Sequence, residues 1–150
     1  MGFQITRKAT ARWSGSDSAG GGTISLGSGS FEGPFSLKAR VEDTPQSNPE
    51  ELIGAALAAC FTMSVSNKLT EAGYEVKLIN TESRVRMAEE DGSYSITGIR
   101  LEMSADVPGI SVEELRTLAA EAKAGCPVSR ALAGTTITLE VKDPVASVNV

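Results

Sequence analysis

The longest apolar stretch of the chain covers residues 52–63, where only Gly54 and Thr62 stand outside the apolar set. A segment apolar on every side belongs inside a core rather than on a surface, so the pattern predicts a buried helix. Its ends are marked. Asn48 is a good N-cap, Pro49 suits the first helical position, and Glu51 stands where a capping box wants its acid. Gly73 supplies the C-terminal stop. Gly54, Ala55, Ala56, Ala58 and Ala59 are small and would let another backbone approach closely.

The flanking segments follow a shorter period. Residues 3–13 alternate loosely and predict an edge strand, and the Gly/Ser-rich stretch 14–22 predicts a turn. Segments 23–26 and 35–41 predict two further strands of an antiparallel meander. After the helix, 75–88 and 93–107 predict two long strands joined at Asp91-Gly92, a strong hairpin signal. Ser111 with Glu114 opens a second helix that runs to Gly125, and Cys126-Pro127 opens a short third one. A last strand is predicted over 136–142, followed by a polar tail. The order βββ-α-ββ-αα-β is an α+β pattern. With no internal repeat and no linker, one domain over 1–150 is expected.

Composition then narrows the partners. The net charge is −5, which disfavours nucleic acid and anionic membrane surfaces, since both call for a basic stripe. The N-terminal segment has no apolar signal-peptide region, and stretch 52–63 is too short to span a bilayer, so a cytoplasmic location is expected. The chain contains no histidine. That excludes a Ser-His-Asp triad, a Cys-His dyad and most zinc hydrolase sites.

What chemistry remains centres on Cys60 and Cys126. Inert thiols, a redox pair and half of a metal site are all compatible with two cysteines in a reducing compartment. Without a third cysteine or a histidine, two thiolates make a poor zinc site. Cys60 lies mid-helix among alanines. The plain reading is a small core hydrophobe with a raised pKa, unreactive unless tertiary structure delivers a cation. Cys126 precedes Pro127 at the N-cap of a new helix, where the thiolate is favoured. Glu50 and Glu51 both suit the helix start electrostatically, but only Glu51 has a capping task. Arg40 falls in the predicted strand 35–41, on the face opposite Ala39 and Val41, where an arginine is ordinarily solvated.

Two motifs, NPEELIGAALAACF and AKAGCPVSRAL, resemble those of the osmotically inducible protein C (OsmC) family. This family belongs to a wider group that includes the organic hydroperoxide resistance proteins. The resemblance covers essentially the whole chain. It implies an OsmC-like α+β fold with antiparallel sheets wrapped around long central helices, in an intertwined homodimer. It implies a two-cysteine peroxidase, with Cys60 peroxidatic, Cys126 resolving and Glu50 in the place of the family glutamate. Arg40 matches the family arginine that precedes the NPEE motif in the OsmC branch, with Arg12 as the fallback. Arg40 would stabilise the Cys60 thiolate while Glu50 holds its guanidinium. The expected substrate is an organic hydroperoxide, hydrogen peroxide serving less well. The expected reductant is a dithiol, with a lipoylated protein as a candidate, and no cofactor or metal is needed. A redox sensor and a non-catalytic binding module of the same fold are the competing readings. Helix geometry adds one expectation. Glu50 and Cys60 are ten positions apart, roughly 15 Å along a helix axis. A single straight helix cannot bring both to one peroxide, so Glu50 of one chain is expected to serve Cys60 of its partner.

Overall fold

The computed structural model describes residues 2–143. The chain divides into two compact units, residues 1–52 and 53–150.

In the first unit, strands β1 (Ala9–Ser14), β2 (Gly21–Leu26) and β3 (Glu32–Phe35) form an antiparallel meander in the order β1-β2-β3. Trp13 and Phe35 bring their rings to 5.3 Å between centroids across the sheet. Gly22 lies beneath this pair. A Cβ there would meet Arg12 O at 2.2 Å and the Phe35 ring at 2.5 Å, so no side chain fits.

The strand predicted over 35–41 ends at Phe35, and Lys38–Val41 instead form a helical turn, α1. Arg40 therefore stands on a helix and not on a strand face. Two hydrogen bonds explain why. The Ser36 hydroxyl accepts from the Ala39 N–H (3.2 Å) and donates to Gln46 Oε1 (2.7 Å), fixing a turn that competes with the ladder. The ladder position beyond β3 is taken by Ser47, whose N–H donates to Pro34 O at 2.9 Å.

Helix α2 (Pro49–Glu71) begins as predicted. Asn48 Oδ1 accepts from the Glu51 N–H at 2.8 Å. At the other end Gly73 has φ +88°, the Tyr74 N–H reaches Leu69 O (3.0 Å) and the Gly73 N–H reaches Thr70 O (3.0 Å). This is a Schellman closure.

In the second unit, strands β4 (Leu78–Glu90) and β5 (Ser93–Asp106) pair antiparallel around Asp91 and Gly92, both at positive φ. That is the backbone a tight hairpin requires. Helices α3 (Val112–Gly125) and α4 (Pro127–Ala131) follow, then strand β6 (Ile137–Val141). β6 pairs parallel with β5, so this sheet is mixed rather than wholly antiparallel. The α3–α4 segment is the crossover that parallel neighbours demand. The polar tail lies outside the described residues.

The core of this unit forms where three stripes meet. Leu57, Phe61, Val65 and Leu69 recur every four residues along α2; Leu101, Met103 and Ala105 alternate along β5; Leu115, Ala119 and Ala122 line α3. By length and apolarity α2 would suffice to cross a membrane, yet its every fourth residue from Leu57 to Leu69 is fully buried in this core. The expectation of burial on all sides fails, however. Only 28% of its most apolar stretch is buried, and Ala55, Ala56, Ala59 and Met63 are exposed. One sheet and one helix of this unit cover a single stripe of α2.

Candidate functional site

Cys60 rides on α2 beside Phe61, half-buried and packed against the core. Cys126 ends one helix and starts another. Its N–H donates to Ala122 O (2.8 Å), closing α3, and its carbonyl accepts from the Arg130 N–H (3.0 Å), opening α4. Pro127 follows at the first position of α4, where its missing N–H costs nothing. Cys126 is completely buried. Both thiols are free, and they lie close enough that each shifts the other's pKa. Residues far apart in sequence are thus brought near each other.

The two thiols are pushed in opposite directions. Burial raises the Cys60 pKa, the hydrogen bond it shares with Cys126 raises it further, and the Val128 N–H opposes. Burial pushes Cys126 up as well, but the neighbouring Cys60 and, after it, Ser129 and Val128 at the start of α4 bring it below the ordinary thiol range. The mid-helix position of Cys60 thus behaves as its sequence context suggested.

Access is asymmetric in the other sense. A cleft of about 390 Å³ opens onto Cys60, lined along α2 by Met63, Ser64, Asn67 and Lys68 and along α3 by Glu121 and Gly125. Lys68 and Glu121 pair across it at 3.5 Å. Cys126 is not among the residues lining this cleft.

Arg40 and Glu50 meet within the first unit. The guanidinium grips the carboxylate as a fork: Nη2 donates to Oε1 at 2.6 Å, and Nε to Oε1 and Oε2 at 3.1 and 3.3 Å. Glu50 is 8% exposed despite its charge, and this pairing is what permits the burial. The Glu50 hydrogen bond holds Arg40 more firmly protonated than usual, against the pull of burial. Arg12 sits on β1 opposite Thr23, in a shallow groove with Thr10, Trp13 and Glu32. The arginine that engages Glu50 is Arg40.

Ser129 escaped the sequence reading. It is buried, and its Oγ has no hydrogen-bond partner. The signal was present in GCPVS: a serine three residues after an N-cap is placed to reach back to it. The rim pair Lys68 and Glu121 was missed for want of any motif.

A thiol on a long helix facing a thiol at a helix junction defines an α+β protein with a dithiol site. The OsmC-like protein family model matches residues 42–142, and the chain belongs to this family. It is similar to the peroxiredoxin OsmC of Escherichia coli strain K12, 42% identical over 129 residues, 85% of this chain and 90% of that one. An organic hydroperoxide resistance protein of Xanthomonas axonopodis pv. citri is 36% identical over 90 residues, 58% of this chain and 60% of that one. Among solved structures, the organic hydroperoxide resistance protein OhrB of Bacillus subtilis superposes with a TM-score of 0.73 at 27% identity, covering 92% of this chain and 98% of that one.

Proposed function

We propose that this chain is a thiol-dependent peroxidase that reduces organic hydroperoxides. The observation that carries the reading is the meeting of two free thiols, one beside an open cleft and one fully buried. The names of the relatives, peroxiredoxin and organic hydroperoxide resistance protein, support the same chemistry.

Access assigns the roles. Cys60 meets the peroxide because the cleft reaches it and not Cys126. Its thiolate attacks one oxygen of the O–O bond; the other oxygen leaves with the bonding pair and is protonated to an alcohol. Cys60 is then a sulfenic acid. The Cys126 thiolate displaces hydroxide from it, forming the Cys60–Cys126 disulfide and, after protonation, water. An external dithiol returns both cysteines to thiols and is itself oxidised to a disulfide. A lipoyl group carried on a protein is the candidate reductant.

Burial alone makes Cys60 a weak acid, so this scheme needs a cation. Arg40, oriented by Glu50, supplies it. The exposed small-residue face of α2, Ala55, Ala56 and Ala59, supports a homodimer in which the Arg40–Glu50 pair of one protomer serves Cys60 of its partner. The chain then works as one domain, as the match to the Escherichia coli peroxiredoxin OsmC over 85% of the chain suggests, in the cytoplasm.

The test oxidises the reduced protein with one equivalent of an organic hydroperoxide and maps the peptides. Linkage of Cys60 to Cys126 within a chain, with multiple turnover when a dithiol is added, is expected. Thiols that stay reduced, or a single oxidation without turnover, would overturn the reading. For the shared site, Glu50→Ala and Cys60→Ser chains, each inactive alone, regain activity when mixed into heterodimers.

A further inference from the structure

We propose that the pocket between the end of α3, helix α4 and the start of β6 is a binding site for a phosphate group, held by Lys123, Ser129, Arg130 and Thr135. The inference stands apart from the peroxidase reading, since none of these four side chains lines the cleft at Cys60.

Three observations lead to it. The first is charge. The chain carries 19 acidic residues against 14 basic ones, yet this pocket of about 270 Å³ is lined by Lys123 and Arg130 and by no acid. Neither cation has an ion-pair partner among the described residues. By contrast, Arg84 and Arg100 on the sheet are each tied to glutamates. Two like charges lining one cavity repel, and an anion between them turns that repulsion into attraction. The second is Ser129. It is the buried residue of the lining, at 9% exposure, and its Oγ has no hydrogen-bond partner. A hydroxyl so placed is costly until an acceptor reaches it, and an anion drawn in by the two cations brings one. The third is the frame. The Arg130 N–H donates to Cys126 O (3.0 Å), the Leu132 N–H to Val128 O (3.0 Å) and the Thr135 N–H to Leu132 O (2.9 Å). The backbone that presents Ser129, Arg130 and Thr135 is thus fixed by its own hydrogen bonds before a ligand arrives.

The donor set selects the ligand. A guanidinium, an ammonium and two hydroxyls suit the three acceptor oxygens and near-double charge of a phosphate better than the two oxygens and single charge of a carboxylate. Ala133 and Ile137 add an apolar wall to the same pocket, against which a phosphomonoester can lay its organic part. Ser129 and Arg130 belong to the five-residue helix that begins after Cys126, so the ligand rests on the element that follows the buried thiol.

The test uses the full-length reduced chain with inorganic phosphate as the probe, at an ionic strength held constant with chloride. Calorimetry should show saturable binding, Tm should rise with phosphate, and the amide signals of Ser129, Arg130 and Thr135 should shift during the titration. Arg130→Gln and Lys123→Gln should each weaken binding about tenfold, the scale of one hydrogen bond to a charged group. Ser129→Ala separates a ligand role from a structural one. It removes a buried unpaired hydroxyl, so Tm without phosphate should be no lower, while phosphate binding weakens. Acetate should bind more weakly than phosphate. Tighter binding of glycerol phosphate than of inorganic phosphate would support the site and assign it to a phosphomonoester; the reverse order would support it as a site for free phosphate. No saturable phosphate binding, or binding unchanged in both Arg130→Gln and Lys123→Gln, would overturn the proposal. Acetate binding as tight as that of phosphate would overturn the choice of ligand, and an unchanged affinity in Ser129→Ala would overturn the part given to Ser129.

Discussion

Cys60 stands in the middle of a 23-residue helix whose backbone donors are already committed to the helix ladder, so no N–H of its own element turns toward the sulfur. Cys126 stands at a helix junction, at the N-cap of α4, where the first N–H groups of the helix have no partner within the helix ladder. Burial pushes both thiols toward the neutral form; at Cys126 its interaction with Cys60 and then the start of α4 reverse the effect, while at Cys60 the interaction with Cys126 adds to it. The contrast extends to access: the more acidic thiol is the sealed one, and the less acidic thiol is the one a solute reaches. A scheme that needs Cys60 to react first therefore requires a cation from outside its own helix. Position relative to a helix end, more than depth of burial, separates two otherwise identical side chains.

The largest effect follows from removing each thiol in turn. Cys60→Ser is expected to drop peroxide consumption to the uncatalysed background. Cys126→Ser should still permit one oxidation, leaving Cys60 as sulfenic acid, with no turnover on a dithiol. Peroxide assays with mass spectrometry decide it. Normal turnover in Cys126→Ser would collapse the distinction between the two sites.

Next in size is Arg40→Ala. Loss of one electrostatic partner at a reacting centre costs roughly 10²–10³-fold in rate. The sign on pH follows from the group: burial already raises Cys60, and loss of a cation raises it further, so the thiolate fraction at neutral pH falls. The alkylation profile of Cys60 in a Cys126→Ser background should move to higher pH. Arg12→Ala should leave it in place; the opposite result would hand the role to Arg12.

Phe61→Ala tests how firmly the core holds the Cys60 side of the pair. Phe61 is fully buried beside it, and such truncations cost about 3–5 kcal/mol. Urea unfolding at fixed protein concentration reads the loss. A cost below about 1 kcal/mol would mean that α2 is anchored elsewhere than in this core.

The smallest effect concerns the element that delivers Cys126. Ser111 Oγ accepts from the Glu114 N–H at 3.1 Å and caps α3. Ser111→Ala should cost about 1 kcal/mol while the Cys126 titration stays where it was. A shift in that titration would show that the junction depends on the far end of α3.

What could be read from residue order alone was local. The start of α2 at Asn48 and Pro49, its stop at Gly73, the Asp91-Gly92 hairpin and the Ser111 cap all follow from interactions spanning five residues or fewer. The family, too, was legible, because NPEELIGAALAACF and GCPVS are contiguous stretches whose spacing is written in the residue order itself. The helical turn at Arg40 was not, because apolar alternation pointed to a strand and the deciding bond joins Ser36 to Gln46, ten residues on. The parallel pairing of β6 was equally hidden, since it depends on how the α3–α4 crossover returns to β5. Only the folded chain closes the Arg40–Glu50 fork and sets Cys60 against Cys126. It alone decides which thiol is acidic and which is reachable. Both depend on donors and openings contributed by segments remote in sequence, and the strength of a charge interaction is set by where the solvent ends, which no linear pattern records.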